Sequence, residues 1–165
     1  MLMPGSPFIY YGEEVCLRGS RGGSNTDANR RLVMPWGDGD TVKNPTGANY
    51  ENADSYGTVA EQLPNKDSLY NHYKKLIAIR KANPEIAEGS YTSLHLKGTK
   101  AGGFLSTLDG STVAVLHNTT TEPVEIDLTQ IDADLTKLAA VVGRGEATLE
   151  GTVLTLGGQT SVVLR

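Results

Sequence analysis

Residues 4–14, PGSPFIYYGEE, place four large apolar or aromatic side chains in succession: Phe8, Ile9, Tyr10 and Tyr11. A strand with one wet face alternates apolar and polar residues. An unbroken apolar run suits a strand covered on both faces, as in parallel α/β sheets. Pro4, Gly5 and Pro7 punctuate its start, and Gly12 marks its exit into a loop carrying Glu13 and Glu14. A parallel strand needs parallel neighbours, and no later segment has this pattern. The chain therefore reads as the tail of something larger.

At 165 residues the chain has length for one domain, or a domain and a fraction. Its 38% hydrophobic and 21% charged residues exclude both a disordered and a membrane-spanning chain, and it has no long apolar stretch. A net charge of -4 lacks the basic footprint that nucleic-acid binding needs. Neither nucleic acid nor membrane is thus an expected partner. The one cysteine, Cys16, forbids an internal disulfide and removes any Cys-based zinc site. Met1-Leu2-Met3-Pro4 lacks the basic start and apolar core of a signal peptide, which for a fragment leaves the parent's localisation open.

From residue 15 to about 66 the chain reads as a long loop, Gly-rich at Gly19 to Gly23 and polar around Asp38-Gly39-Asp40, Asn44-Pro45 and Asn49 to Asn52, with a helical turn expected over 58–63. Loops of this length are more often functional than structural. Residues 67–83 then carry the clearest helical pattern. Asp67 is the expected cap, Leu69, Tyr70, Tyr73, Leu76 and Ile77 form one apolar stripe, Lys74, Lys75, Arg80 and Lys81 suit the later turns, and Asn83-Pro84 stops it.

Beyond about Glu88 the period shortens to alternating runs. Strands are predicted at 91–96, 103–108, 112–117, 123–128, 138–142, 147–149, 152–156 and 161–164. Asp109-Gly110 is a strong hairpin signal, and Glu150-Gly151 and Gly157-Gly158 punctuate the last strands. The fold class expected is mainly β: a C-terminal antiparallel Greek-key sandwich over residues 89–165, preceded by an incomplete βα unit over residues 1–88.

Three segments together resemble the α-amylase family of glycoside hydrolases and transglycosidases. PGSPFIYYGEE is similar to that family's eighth barrel strand. Asp27 to Trp36, DANRRLVMPW, resembles the loop that follows it, and SLYNHYKKLIAIRKANPEIAEGSY resembles the eighth barrel helix and the step into the C-terminal sandwich. One departure is Val33, where many relatives have proline before Met34. The resemblance implies that residues 1–88 close a (β/α)8 barrel. It implies a parent acting on α-glucosidic bonds in starch-like glucans or maltooligosaccharides, with its catalytic carboxylates on earlier barrel strands.

Retaining cleavage of a glycosidic bond needs two carboxyl groups about 5–5.5 Å apart across the scissile bond. Glu13 and Glu14 are adjacent at a strand's exit and project to opposite sides, so neither is read as nucleophile or acid. Glu13 is retained as a candidate for the pocket rim. The better substrate-binding candidates are Asp27 and Arg31, because the resemblance carries their loop over the barrel's carboxyl end. They either hydrogen-bond sugar hydroxyls, pair to shape a subsite, or only pin the loop. Trp36 either stacks on a sugar face or packs the loop.

The remaining signals are weak. Asp38-Gly39-Asp40 lacks a calcium loop's full ligand series and reads as a solvated turn. Gly19 to Gly23 has no Gly-Lys-Ser/Thr, and His72, His95 and His117 show no ligand spacing, so neither metal nor cofactor is expected. Two function classes remain: the closing part of an α-glucan-active enzyme, itself inactive, or a non-catalytic sandwich binding carbohydrate or a partner. The last 77 or so residues are expected to close a core alone. Residues 1–60 are expected to be mobile, rearranged or paired with another copy, giving self-association through the exposed barrel segment.

Overall fold

The computed structural model describes residues 1–20, 27–39, 41–50 and 56–165. Gly22, Gly23 and Asp40, on which two of the weak sequence signals fell, lie outside them, as do Glu51 and Asn52. The described chain is mostly antiparallel β-sheet with few helices: α1 (Val59–Gln62), α2 (Leu69–Ala82) and α3 (Glu85–Glu88), then β1 (Ser90–Leu94), β2 (Gly102–Leu108), β3 (Ser111–Asn118), β4 (Val124–Asp127), β5 (Leu138–Gly143), β6 (Ala147–Glu150), β7 (Val153–Leu156) and β8 (Thr160–Leu164). Its contacts divide it into two compact units, one of Met1–Ser6 with Leu76–Arg165 and one of Pro7–Lys75. No described helix is long and apolar enough to cross a membrane.

In the first unit the strands form a five-stranded sheet, β1-β2-β3-β8-β5, and a three-stranded sheet, β4-β7-β6. Every neighbouring pair is antiparallel. Asp109 and Gly110 join β2 to β3 with φ 49° and φ 81°. Two successive positive φ values give the tight turn whose twist matches paired strands. Leu108 and Ser111 are in register on either side of it.

Period-two alternation assigns the core. Ala114 and Leu116 of β3, with Val162 and Leu164 of β8, meet Ile126, Leu154 and Leu156 of the smaller sheet. The intervening side chains, Val113, Val115 and Val163, point to the other face and pack with Phe104, Val142, Ile79, Ile86 and Leu2. The central strand β3 is therefore buried on both sides. The second layer comes from residues that precede β1: the end of α2, α3 and the first residues of the chain. Arg80 fastens those first residues by donating to the carbonyls of Met1 and Met3, each at 2.8 Å, and to that of Gly5.

Helix α2 stops before Asn83-Pro84, as its sequence predicts. Its start differs from expectation. Ser68, not Asp67, caps it: the Ser68 hydroxyl oxygen accepts from the Asn71 N–H at 3.2 Å and the hydroxyl donates to the Gln62 carbonyl at 2.8 Å. Asp67 stays exposed, and its own N–H donates to Asn65 at 3.0 Å. The predicted stripe of Leu69, Tyr70, Tyr73, Leu76 and Ile77 is half-buried, and Ile79 is the helix's deepest residue.

In the second unit the parallel strand expected at residues 8–11 is not formed, and residues 7–10 carry no regular secondary structure. Phe8 is 88% exposed. The reason is physical: a strand exists through its ladder, and among the described residues no neighbour offers one. The chain instead turns through a 3-10 segment, Glu13–Val15, entered at Gly12 with φ 89°. A Cβ on Gly12 would stand 2.6 Å from the Leu17 Cβ, so this turn accepts only glycine. A second 3-10 turn spans Ala28–Arg30, and α1 forms where the sequence predicted a helical turn. Thr58 and Glu61 close α1's amino end as a reciprocal capping box. Those bonds from the Thr58 N–H and hydroxyl also hold the Glu61 carboxyl below its ordinary range.

Candidate functional site

The 3-10 segment and the loop after it enclose a cavity of about 370 Å³ within the Pro7–Lys75 unit. Tyr10, Tyr11, Glu13, Arg18, Ser20 and Asn29 are on its wall. Of the four sequence candidates, Glu13 is therefore brought to this cavity. Its carboxylate accepts from the Tyr10 N–H at 3.3 Å, while Glu14 accepts from the Gly12 N–H at 2.9 Å. Both carboxylates thus hold the turn that carries them.

Two buried polar residues organise the walls. Asn29 is fully buried: its amide donates to Asn49 Oδ1 at 2.6 Å and accepts from the Asn49 N–H at 2.9 Å, while its backbone carbonyl takes the Ser20 N–H. Gln62, 2% exposed, donates to the carbonyls of Val15 at 3.1 Å and Gly57 at 3.2 Å, and accepts from the Tyr70 N–H at 3.1 Å. One side chain thereby ties the 3-10 segment, α1 and the start of α2. Neither residue is a sequence candidate. Their signal is faint: in loop-rich chain, backbone groups without a ladder must bond to something, and an Asn or Gln offers both donor and acceptor.

Asp27 and Arg31 form an ion pair four residues apart, spanning the Ala28–Arg30 turn. Both are well exposed, with side chains 72% and 58% accessible. They are not on the cavity wall. Next to them the chain is pinned by the Tyr11 hydroxyl, which donates to the Leu32 carbonyl at 2.9 Å. Burial and then the neighbouring Tyr10 hold the Tyr11 phenol above its ordinary range, with Arg31 opposing. Trp36 is 55% exposed. Its carbonyl accepts from the Ala60 N–H at 3.0 Å, so the backbone that presents the indole also satisfies the open end of α1.

Tyr73 is pushed above the ordinary phenol range by burial first, then by the charges of Glu13, Glu14 and Cys16. Among the described residues no group of three or more His, Cys, Asp or Glu side chains is gathered as a metal ion would require. Hydroxyl, amide, guanidinium and carboxylate groups beside two aromatic rings make a wall able to hold a polyhydroxylated ligand by hydrogen bonds and ring contact.

Comparison with known proteins gives this arrangement a family. The model of the alpha amylase catalytic domain matches residues 1–89. Alpha-amylase SusG of Bacteroides thetaiotaomicron is 31% identical over 170 residues, which cover 98% of this chain and 24% of that protein. Alpha-amylase 3 of Dictyoglomus thermophilum is 31% identical over 72% of this chain and 23% of its own length. Among solved structures, Eubacterium rectale Amy13B superposes with a TM-score of 0.84 at 28% identity, covering 99% of this chain and 32% of that one. The alpha-amylase from H. orenii superposes with a TM-score of 0.75 at 30% identity, over 99% of this chain and 33% of its own. The chain thus spans about a quarter of the length of these curated relatives. It belongs to the alpha-amylase family.

Proposed function

We propose that this chain is the C-terminal portion of an α-amylase-family enzyme that hydrolyses, or transfers, α-glucosidic bonds in starch-like glucans or maltooligosaccharides. In this reading the catalytic carboxylates lie outside these residues. The observation that carries it is the asymmetry of coverage: 98% of this chain aligns with a relative of which it spans 24%. The local chemistry agrees. Glu13 and Glu14 each accept from a backbone N–H within two or three residues, which suits holding a turn. Asp27, Arg31, Trp36 and Glu13 serve binding in this reading: the ion pair orders the loop, and the exposed indole is open to the face of a sugar ring.

The same reading accounts for the exposed apolar residues of the amino-terminal segment. Phe8 is 88% exposed, Met3 57%, Tyr10 45% and Tyr11 41%. In the isolated chain these side chains drive self-association.

A graft tests the proposal. Residues 1–165 replace the matching quarter of the B. thetaiotaomicron alpha-amylase, and maltooligosaccharide hydrolysis is measured beside that of the isolated chain. Turnover by the chimaera with none by the chain alone supports it. A folded but inactive chimaera overturns the substrate assignment. Hydrolysis by the chain alone, lost in Glu13→Gln, Glu14→Gln or Asp27→Asn, overturns the assignment of catalysis elsewhere.

A further inference from the structure

A cavity of about 660 Å³ in the Leu76–Arg165 unit opens at one end of the sandwich. Three turns converge there: those joining β3 to β4, β5 to β6, and β7 to β8. Its polar side chains are Thr121, Arg144, Glu146, Thr148, Thr155 and Gln159, with Pro123 the one apolar side chain beside them.

This platform is built before any ligand arrives. Buried Asn118 is its hub: its amide donates to the carbonyls of Glu122 at 2.7 Å, Leu156 at 3.1 Å and Gly157 at 3.0 Å, and its oxygen accepts the Thr120 N–H at 3.0 Å. The turns are also bonded to one another through their backbones. Gln159 N–H donates to Thr120 at 2.7 Å, Gly157 N–H to Glu146 at 2.8 Å and Arg144 N–H to Gln159 at 3.1 Å. Contact is so close that a Cβ on Gly158 would stand 2.1 Å from the Thr121 carbonyl oxygen. Little conformational entropy is left for a ligand to remove.

The side chains on this frame differ from the frame itself. Among the described residues, none of the six makes a side-chain hydrogen bond or ion pair within the chain. Thr148 and Thr155 are direct cross-strand partners, so two hydroxyls stand side by side. Arg144 and Glu146 bring one charge of each sign, giving a wall of zero formal charge. A neutral wall of hydroxyl, amide, guanidinium and carboxylate groups favours neither an anion nor a cation. It matches a neutral ligand carrying many hydroxyls, each both donor and acceptor. The volume lies within the range of small-molecule sites.

We infer that this end of the sandwich is a non-catalytic binding site for a neutral oligosaccharide. Arg144 and Gln159 donate to its hydroxyls, Glu146 accepts from them, and the paired threonines set orientation. No aromatic ring is present on the wall to add stacking, so binding is weak, in the millimolar range. That the saccharide is an α-glucan, in place of another neutral one, rests on the function proposed above.

The test titrates the 15N-labelled full 165-residue chain with maltotriose, and separately with cellotriose, following backbone amides. Saturable shifts confined to the amides of Gly145, Gly157, Gly158 and their neighbours are expected with maltotriose. Arg144→Ala and Glu146→Ala, both on exposed side chains, should each weaken binding about tenfold with the melting temperature unchanged. No saturable shift, shifts elsewhere, or shifts that survive both substitutions overturns the site. Equal response to cellotriose overturns the α-glucan assignment alone. Failure of the chimaera to hydrolyse glucan has no bearing on these shifts, so the two readings fail separately.

Discussion

Arg165 grips Glu85 with both arms of its guanidinium, Nη1 to Oε1 and Nη2 to Oε2, each at 3.0 Å. Glu85 is 3% exposed and takes a further bond from the Ser111 hydroxyl at 2.6 Å, while Arg165 Nε donates to Asn83 at 3.2 Å. The start of α3, the start of β3 and residue 165 are thus joined through one carboxylate. Burial pushes that carboxyl up, but the Ser111 hydroxyl, its own backbone N–H and Arg165 together outweigh it and set it below the ordinary glutamate range. Arg165→Ala leaves the carboxylate buried without its cation. It should lower unfolding free energy by about 1–3 kcal/mol, less than for a fully enclosed pair because the guanidinium is 36% exposed. The folded state holds this carboxylate's proton less tightly than the unfolded chain. Its contribution is therefore complete above the ordinary glutamate pKa and declines as pH falls towards the depressed folded value. Glu85→Gln should flatten the acid limb of a urea-denaturation series.

His117 acts in a higher pH window. Its Nδ1 pairs with the Ser161 hydroxyl at 2.8 Å, and burial lowers its pKa, opposed by the Leu2 backbone. An imidazole that resists protonation in the folded state weakens that state once the unfolded chain begins to take the proton. Stability should fall as pH drops below the ordinary histidine value and level off below the folded one. Denaturation midpoints between pH 8 and pH 5 measure this, and His117→Gln should reduce the drop, leaving the part due to the Met1 amino group, whose pKa burial also lowers. An unchanged drop would locate the titration elsewhere.

Removing the Gln62 side chain strands the carbonyls of Val15 and Gly57 and the Tyr70 N–H. Gln62→Ala should cost about 1–3 kcal/mol. The effect should be local: amide exchange at Tyr70 accelerates, while amides of β3 and β8 keep their protection. Equal acceleration everywhere would show that the two units unfold together.

The Asp27–Arg31 pair separates loop support from substrate contact. Asp27→Ala should change stability by less than about 1 kcal/mol, since both groups are well exposed. In the active chimaera the same substitution should raise KM for maltooligosaccharides severalfold if the pair shapes a subsite. A KM left unchanged would reduce the pair to pinning its turn.

Phe8→Ser tests self-association. Sedimentation of the wild-type chain should show a concentration-dependent rise in mass that the variant lacks. A wild-type chain monomeric at all concentrations would remove the apolar segment as an interface.

The β region was legible because its signals are local. Period-two alternation and Asp109-Gly110 mark strands and a turn whatever surrounds them, and each predicted strand overlaps an observed one. The run at residues 8–11 failed for the converse reason. Its apolar continuity reports the environment a strand would need, while the ladder itself depends on other segments. Ser68 took the cap from Asp67 because its hydroxyl reaches both the Asn71 N–H and the Gln62 carbonyl, a choice made by the fold of the preceding turn. Ile79 lies outside the stripe read from α2, yet it packs more deeply against the sheet than Leu76, the stripe residue that joins it there. Within the candidate site, Glu13 was legible from its place after the aromatic run. Asn29 and Gln62 were not, because nothing in sequence distinguishes a buried amide from a wet one.

The two-sided burial of β3 bears on how this protein can be divided. A clone begun at residue 89 would strip Ile79, Ile86 and Leu2 from Phe104, Val113, Val115 and Val163, baring an oily sheet face to solvent. A cut upstream, near Leu76, keeps the helix end and α3 as the roof and gives up only Leu2 of that cover.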